Sequence, residues 1–190
     1  MEPTVWLTAG IWVAGKKSRI ITMGVTSESV DLTKDPDEMR DGEILARIVR
    51  LGFDGDPKRF EMFREKLREG LPEGTEVALR GSVITNERWE DGRPFDAKGD
   101  GTSDLDVTLI GAEVMKYWDE DEFYIPGLHT KPLSDEHADI APRLNPLREK
   151  LQKIARRPVA FQATSDIVLF ARDVLFDQPY FKIIEADKSS

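Results

Sequence analysis

Helix starts and short apolar runs take turns along this chain, and that alternation leaves few folds open. Asp35-Pro36-Asp37-Glu38 reads as a helix start, with a capping carboxylate, a proline where no backbone N–H is needed, and Glu three residues after the cap. Met39, Leu45, Ile48 and Val49 carry the pattern on towards Gly52, with Gly42 as a weak point. Asp56-Pro57 opens a second helix with Phe60, Phe63 and Leu67 on one face and Gly70 as its stop. Asn145-Pro146 caps a third, with Leu147, Leu151 and Ile154 spaced i, i+4, i+7. Between them, residues 75–79 (TEVAL), 105–110 (LDVTLI), 158–164 (PVAFQAT) and 179–185 (PYFKIIE) read as strands. Residues 112–118 and 166–175 read as short helices, 85–103 as a long polar loop, and 123–142, with three prolines, as irregular. The order predicts an α+β fold with α/β-like alternation, a mixed sheet flanked by helices.

Residues 5–15 (VWLTAGIWVAG) are apolar enough to imitate the middle of a secretory leader, but their charges run the wrong way. Glu2 precedes them and Lys16, Lys17 and Arg19 follow, whereas a leader wants positive charge first. Alternation suits a strand better, and a turn through Gly15-Lys16-Lys17-Ser18 into residues 19–25 predicts a β-hairpin. No other segment is long and apolar enough to be transmembrane, so the expectation is a cytoplasmic protein with no membrane partner. A total of 190 residues suits one medium domain with a small appendage, and the absence of cysteine rules out disulfides, a thiol nucleophile and Cys-ligated zinc. Thirty-six acidic against 27 basic side chains argue against non-specific phosphate-backbone binding, though not against a local basic groove.

The chemistry-bearing segment is residues 80–110. Gly81-Ser82 ends one strand, and Ser103-Asp104-Leu105-Asp106-Val107 begins the next. Carboxylates at i and i+2 of a strand point to one face, and two like charges that close are costly without a cation between them. An oxygen-seeking divalent ion such as Mg²⁺ (or Mn²⁺) is the natural partner, since it is commonly held by one or two carboxylates plus substrate phosphates. A Gly-Ser turn brings backbone N–H groups and a hydroxyl near a phosphate with no Cβ in the way. Together these suit phosphoryl or nucleotidyl transfer, where positioning and charge neutralisation carry most of the catalysis.

At these residues the sequence resembles the DNA-polymerase-β-like nucleotidyltransferase superfamily, in its minimal form. The family signature is a strand ending in Gly-Ser, a linker, then Asp-x-Asp between hydrophobic residues; here it reads Leu79-Arg80-Gly81-Ser82 and Ser103-Asp104-Leu105-Asp106-Val107. The resemblance implies that Gly81 and Ser82 hold the triphosphate of an NTP such as ATP. It implies that Asp104 and Asp106 bind the metals that activate the acceptor and steady the leaving pyrophosphate. The implied domain spans residues 53–190, with residues 1–52 as an N-terminal hairpin-and-helix appendage. Arg88 and Arg93, in a linker longer than the family usually shows (residues 86–102), are candidates for phosphate oxygens. Many active members carry a third carboxylate on a later strand. On residues 158–164 the inward position holds the neutral Gln162, with Asp166 just beyond as the other candidate. An incomplete site of this kind could be shared across a homodimer.

Two rival readings stand beside the enzyme. One is a catalytically impaired nucleotide-binding or antitoxin-like partner-binding module. The other is a calcium-stabilised interaction domain built on residues 96–104, although Lys98 and Val107 fall where an EF-hand loop needs oxygen ligands. The basic helix at 143–157 and the Trp6, Trp12, Lys16-Lys17 hairpin could contact an anionic acceptor; a solvated helix face and an ordinary hairpin are the simpler readings. His129 and His137 are expected at the surface.

Overall fold

The structure, a computed structural model, describes residues 6–9, 21–24 and 30–186. Two short strands, β1 (Trp6–Ala9) and β2 (Ile21–Gly24), pair antiparallel, as the hairpin reading expects. The turn between them, with Trp12, Lys16 and Lys17, lies outside the described residues.

The Asp35-Pro36 signal starts less than it promises. Asp35 caps a single 3₁₀ turn (Pro36–Glu38), after which Met39 and Arg40 are extended. The true helix, α1 (Asp41–Gly52), begins where the Glu43 carboxylate accepts from the Arg40 backbone N–H at 2.9 Å. Gly42 therefore sits in the first turn, where it costs little. α2 (Pro57–Gly70) follows the sequence reading: the Asp56 carboxylate accepts from the Lys58 and Arg59 N–H groups, and Phe60, Phe63 and Leu67 are fully buried.

Six strands make one mixed sheet: β3 (Glu76–Arg80), β4 (Leu105–Ile110), β5 (Phe123–Ile125), β6 (His129–Thr130), β7 (Val159–Thr164) and β8 (Tyr180–Ile184). Their order across the sheet is β5-β6-β7-β4-β3-β8, and only β4 and β7 run parallel. The chain is an α+β fold. β5 and β6 arise in the segment expected to be irregular. They are too short for a periodic signal, and their register comes from β7, where Thr164 pairs with His129. His129 is accordingly buried, while His137 is exposed as expected.

The two faces of the sheet differ, and that difference positions the site. Val77, Leu79, Leu105, Val107, Leu109, Val159, Phe161, Phe181 and Ile183 join one core with α1, α2, the short α3 (Ser82–Thr85) and α4 (Ala112–Met115), and α5 (Asn145–Ala155). Because Ile44, Leu45, Ile48 and Val49 lie in that same core, α1 packs as part of the main body. On the opposite face α6 (Ile167–Asp173) covers Ala78 and Ile110 through Ile167, Phe170 and nearby Leu175, and the Phe170 ring also meets His129 edge-on and lies 5.8 Å from the Arg80 guanidinium. The rest of that face carries Arg80, Asp106, Thr108 and Gln162, the outward positions of the same strands.

No helix among the described residues is long and apolar enough to cross a membrane.

Candidate functional site

β3 and β4 are antiparallel neighbours with Arg80 opposite Asp106, so the end of β3 and the start of β4 meet at one edge of the sheet. Gly81 follows Arg80 with φ 74° and ψ −152°, a conformation essentially confined to glycine. A Cβ built there would stand 3.1 Å from the Asp106 Oδ2 atom. Ser82 then opens the single helical turn α3 (Ser82–Thr85). The turn and the carboxylate are thus in contact, a closeness that the intervening linker hides in the sequence.

Asp104 and Asp106 share the open face, because Leu105 and Val107 between and beyond them point into the core. Asp104 has no hydrogen-bond or ion-pair partner among the described residues, and its pKa is raised. Partial desolvation is the main cause, followed by the like charges of Asp106, Asp135, Glu136 and Glu90. Asp106 is better placed, with the Arg80 Nη2 atom 3.4 Å from its Oδ1.

Arg80 is the residue that sequence reasoning undervalued. Its guanidinium lies across the face of the sheet, donating to Thr108 Oγ1 at 3.2 Å and to Gln162 Oε1 at 3.0 Å. Gln162 donates in turn to the Thr130 carbonyl at 2.8 Å. The third position is therefore neutral and committed to two partners, one pair further along the sheet than Asp106, which faces Ala160. Asp166 is not brought to the pair. It lies past the far end of β7, roughly 20 Å along the strand from Ala160, and caps α6 by accepting from the Val168 and Leu169 N–H groups.

The linker is ordered by a buried arginine. Arg157 places one amino group 3.1 Å from both oxygens of Asp96, and also donates to the Ser103 and Gly52 carbonyls. The same Asp96 carboxylate accepts from the Gly101 and Ser103 N–H groups. Arg157 thereby supplies the positive charge that calcium would bring to this loop in the rival reading, and the fold of residues 96–103 delivers Asp104 to the start of β4. Arg148, from the same basic segment, is also buried and pairs with Asp135 at 2.6 Å, so part of that helix's charge is structural.

A cleft of about 770 Å³ opens over the exposed part of this face and is lined by Arg80, Gly81, Ser82, Arg88, Lys98, Asp104 and Asp106 among others. Arg88 is held by Glu90 and Asp91, whereas Arg93 pairs with Asp91 and does not line the cleft. Lys98 has no hydrogen-bond or ion-pair partner among the described residues.

The described residues contain no cluster of three or more carboxylate or histidine ligands. Two carboxylates on one face, one of them crowded by like charge, nevertheless suit an ion that completes its shell with substrate phosphates.

The raised pKa of Asp104 has a measurable consequence. A carboxylate raised on folding costs stability above its folded pKa, and the cost is gone below its ordinary unfolded value. Asp104→Asn should therefore be more stable than wild type at pH 7, with the gain fading as the pH falls through the raised value. Urea unfolding at pH 7 and pH 3 checks this. A variant no more stable than wild type at pH 7 would remove the claim that Asp104 is held in an unfavourable place for function rather than for the fold.

Comparison with protein-family models, with curated proteins and with solved structures gave no match.

Proposed function

We propose that this protein binds a nucleoside triphosphate and transfers its nucleoside monophosphate to an acceptor hydroxyl. One observation carries the reading: the Gly81-Ser82 turn and the Asp104/Asp106 pair converge at one edge of the sheet and open into one cleft. This is the arrangement expected from the resemblance to minimal nucleotidyltransferases. Gly81 leaves room for a phosphate that a side chain would fill, and the Ser82 hydroxyl and the Lys98 ammonium stand free to meet its oxygens. Asp104 and Asp106 would hold Mg²⁺ or Mn²⁺, which supplies charge neutralisation on the phosphates. The acceptor hydroxyl gives up its proton to water as its oxygen bonds to the α-phosphorus, the bond from that phosphorus to the oxygen bridging to the β-phosphate breaks, and pyrophosphate leaves with that oxygen. Arg80 keeps Asp106 in place and balances its charge.

A specific observation favours a second reading, nucleotide binding without turnover. Gln162 is neutral and occupied on both sides, and Arg80 already supplies Asp106 with a counter-charge. Antitoxin-like partner binding belongs to this reading.

One pair of measurements separates the two. Incubation with each NTP and Mg²⁺ should release pyrophosphate, and Asp104→Ala or Asp106→Ala should cut that release by about 100-fold or more. Nucleotide binding by titration calorimetry without pyrophosphate release would favour the second reading. Absence of both would sink the two together.

A further inference from the structure

Two large aromatic side chains at the mouth of the cleft stand almost wholly in solvent. Trp89 is 77% exposed and Phe176 is 72% exposed, and both line the cleft that holds Ser82, Asp104 and Asp106. Their rings are nearly parallel, 10° apart in plane, with centroids 6.5 Å apart. Centroids about 4.5–7 Å apart with near-parallel planes are the geometry of an offset-stacked pair. The two rings therefore lean on one another and together present an exposed aromatic surface at the mouth of the cleft.

Neither ring reaches this place by accident of a loose chain. Trp89 rides on a closed turn in which Arg88 and Arg93 join by a backbone hydrogen bond of 2.8 Å and the Gly92 N–H returns to the Arg88 carbonyl. The Arg88 guanidinium of the same turn is gripped by Glu90 and Asp91. Phe176 stands at φ 51° beside Asp177 at φ 61°, two consecutive left-handed residues without glycine. For a bulky aromatic residue that conformation is costly, and it persists only where the surroundings enforce it. Here the Leu175 and Asp177 N–H groups, donating to Phe170 and Ala171, lock the end of α6 and turn the ring outwards. Burying Phe176 would be the cheaper use of its apolar surface.

We propose that Trp89 and Phe176 are a stacking platform for the nucleobase of the nucleoside triphosphate. The proposal rests on the nucleotide reading above and adds the part of the substrate that reading leaves unassigned. The phosphates lie towards Ser82 and the carboxylates, and the base stacks on the exposed aromatic pair at the mouth of the same cleft. Stacking is tolerant of base identity because every base has a π-face, so the platform accepts purines ahead of pyrimidines by area and does not select by hydrogen bonding.

The test uses ATP, inorganic tripolyphosphate and a single-stranded oligonucleotide as separate probes, with Trp89→Ala, Phe176→Ala and the conservative Trp89→Phe. Both rings are exposed, so the variants should keep the wild-type melting curve. Each alanine variant should bind ATP about tenfold or more weakly, with tripolyphosphate affinity unchanged and much of the loss restored in Trp89→Phe. Unchanged ATP affinity in both alanine variants overturns the platform while leaving the phosphate site standing. If wild type binds neither ATP nor tripolyphosphate, the platform and the nucleotide reading fail together. If the variants lose oligonucleotide but not ATP, the rings hold a base of the acceptor and the assignment to the triphosphate is wrong.

Discussion

Replacing Arg157 with alanine should lower the unfolding free energy by about 3–5 kcal/mol, the usual cost of removing one partner from a buried ion pair. The Arg157 side chain is 1% exposed and lies over the Phe95 ring, with its charge 3.1 Å from both oxygens of Asp96. Truncation strands that carboxylate, leaves the Gly52 carbonyl unpaired, and opens a hole beside Phe95. Against a whole-domain stability of about 5–15 kcal/mol, this is a large fraction. Arg157→Lys keeps the charge, but a single ammonium cannot reach Asp96, Ser103 and Gly52 together, so it should recover only part of the loss. Urea unfolding of the three proteins measures this directly. Equal midpoints for Arg157→Ala and wild type would mean that the linker is ordered by something else.

The second large effect is expected at Gly81. An alanine there must adopt a backbone region that is essentially reserved for glycine, at a cost of about 1–3 kcal/mol. Its methyl group would also meet the Asp106 carboxylate at 3.1 Å and push it from its place beside Arg80. Gly74 is the control: it too has positive φ, 79°, but a Cβ there meets nothing within 4 Å. Both alanine variants should lose stability, while only Gly81→Ala should also lose nucleotide binding or pyrophosphate release. If Gly74→Ala impairs binding equally, the effect of Gly81→Ala is general destabilisation and the contact with Asp106 has no functional weight.

Much of the fold was legible because its signals are local. The cap at Asp56, the spacing of Phe60, Phe63 and Leu67, and the apolar run of residues 105–110 each depend on near neighbours in the chain, and all hold. Where the reading slipped, a local signal lost to another nearby or to a distant partner. Asp35 had every mark of a helix cap, yet the helix starts at Asp41 because Glu43 turns back to the Arg40 N–H. β5 and β6 are fragments held by the sheet, β6 pairing with β7 and β5 with β6. Asn145 lies within its helix and not before it, donating to the Ala138 carbonyl while a 3₁₀ turn precedes it.

The candidate site divides in the same way. The i, i+2 carboxylates and the Gly-Ser turn could be read from the chain, since strand alternation and the freedom of glycine are properties of single segments. The sequence by itself therefore determined which residues face together within one strand, and where the backbone needs no side chain. Tertiary structure alone decided what stands opposite them. The strand pairing sets Arg80 against Asp106 and joins it to Gln162, residues 82 positions apart in the chain. It sends Asp166 to the other end of β7. It makes Arg157 an internal anchor of the linker rather than part of a basic surface, and it brings Trp89 and Phe176 face to face. The physical reason is range: alternation and capping act over two to four residues, whereas charge balance and ring stacking depend on distances in space that only the closed sheet sets.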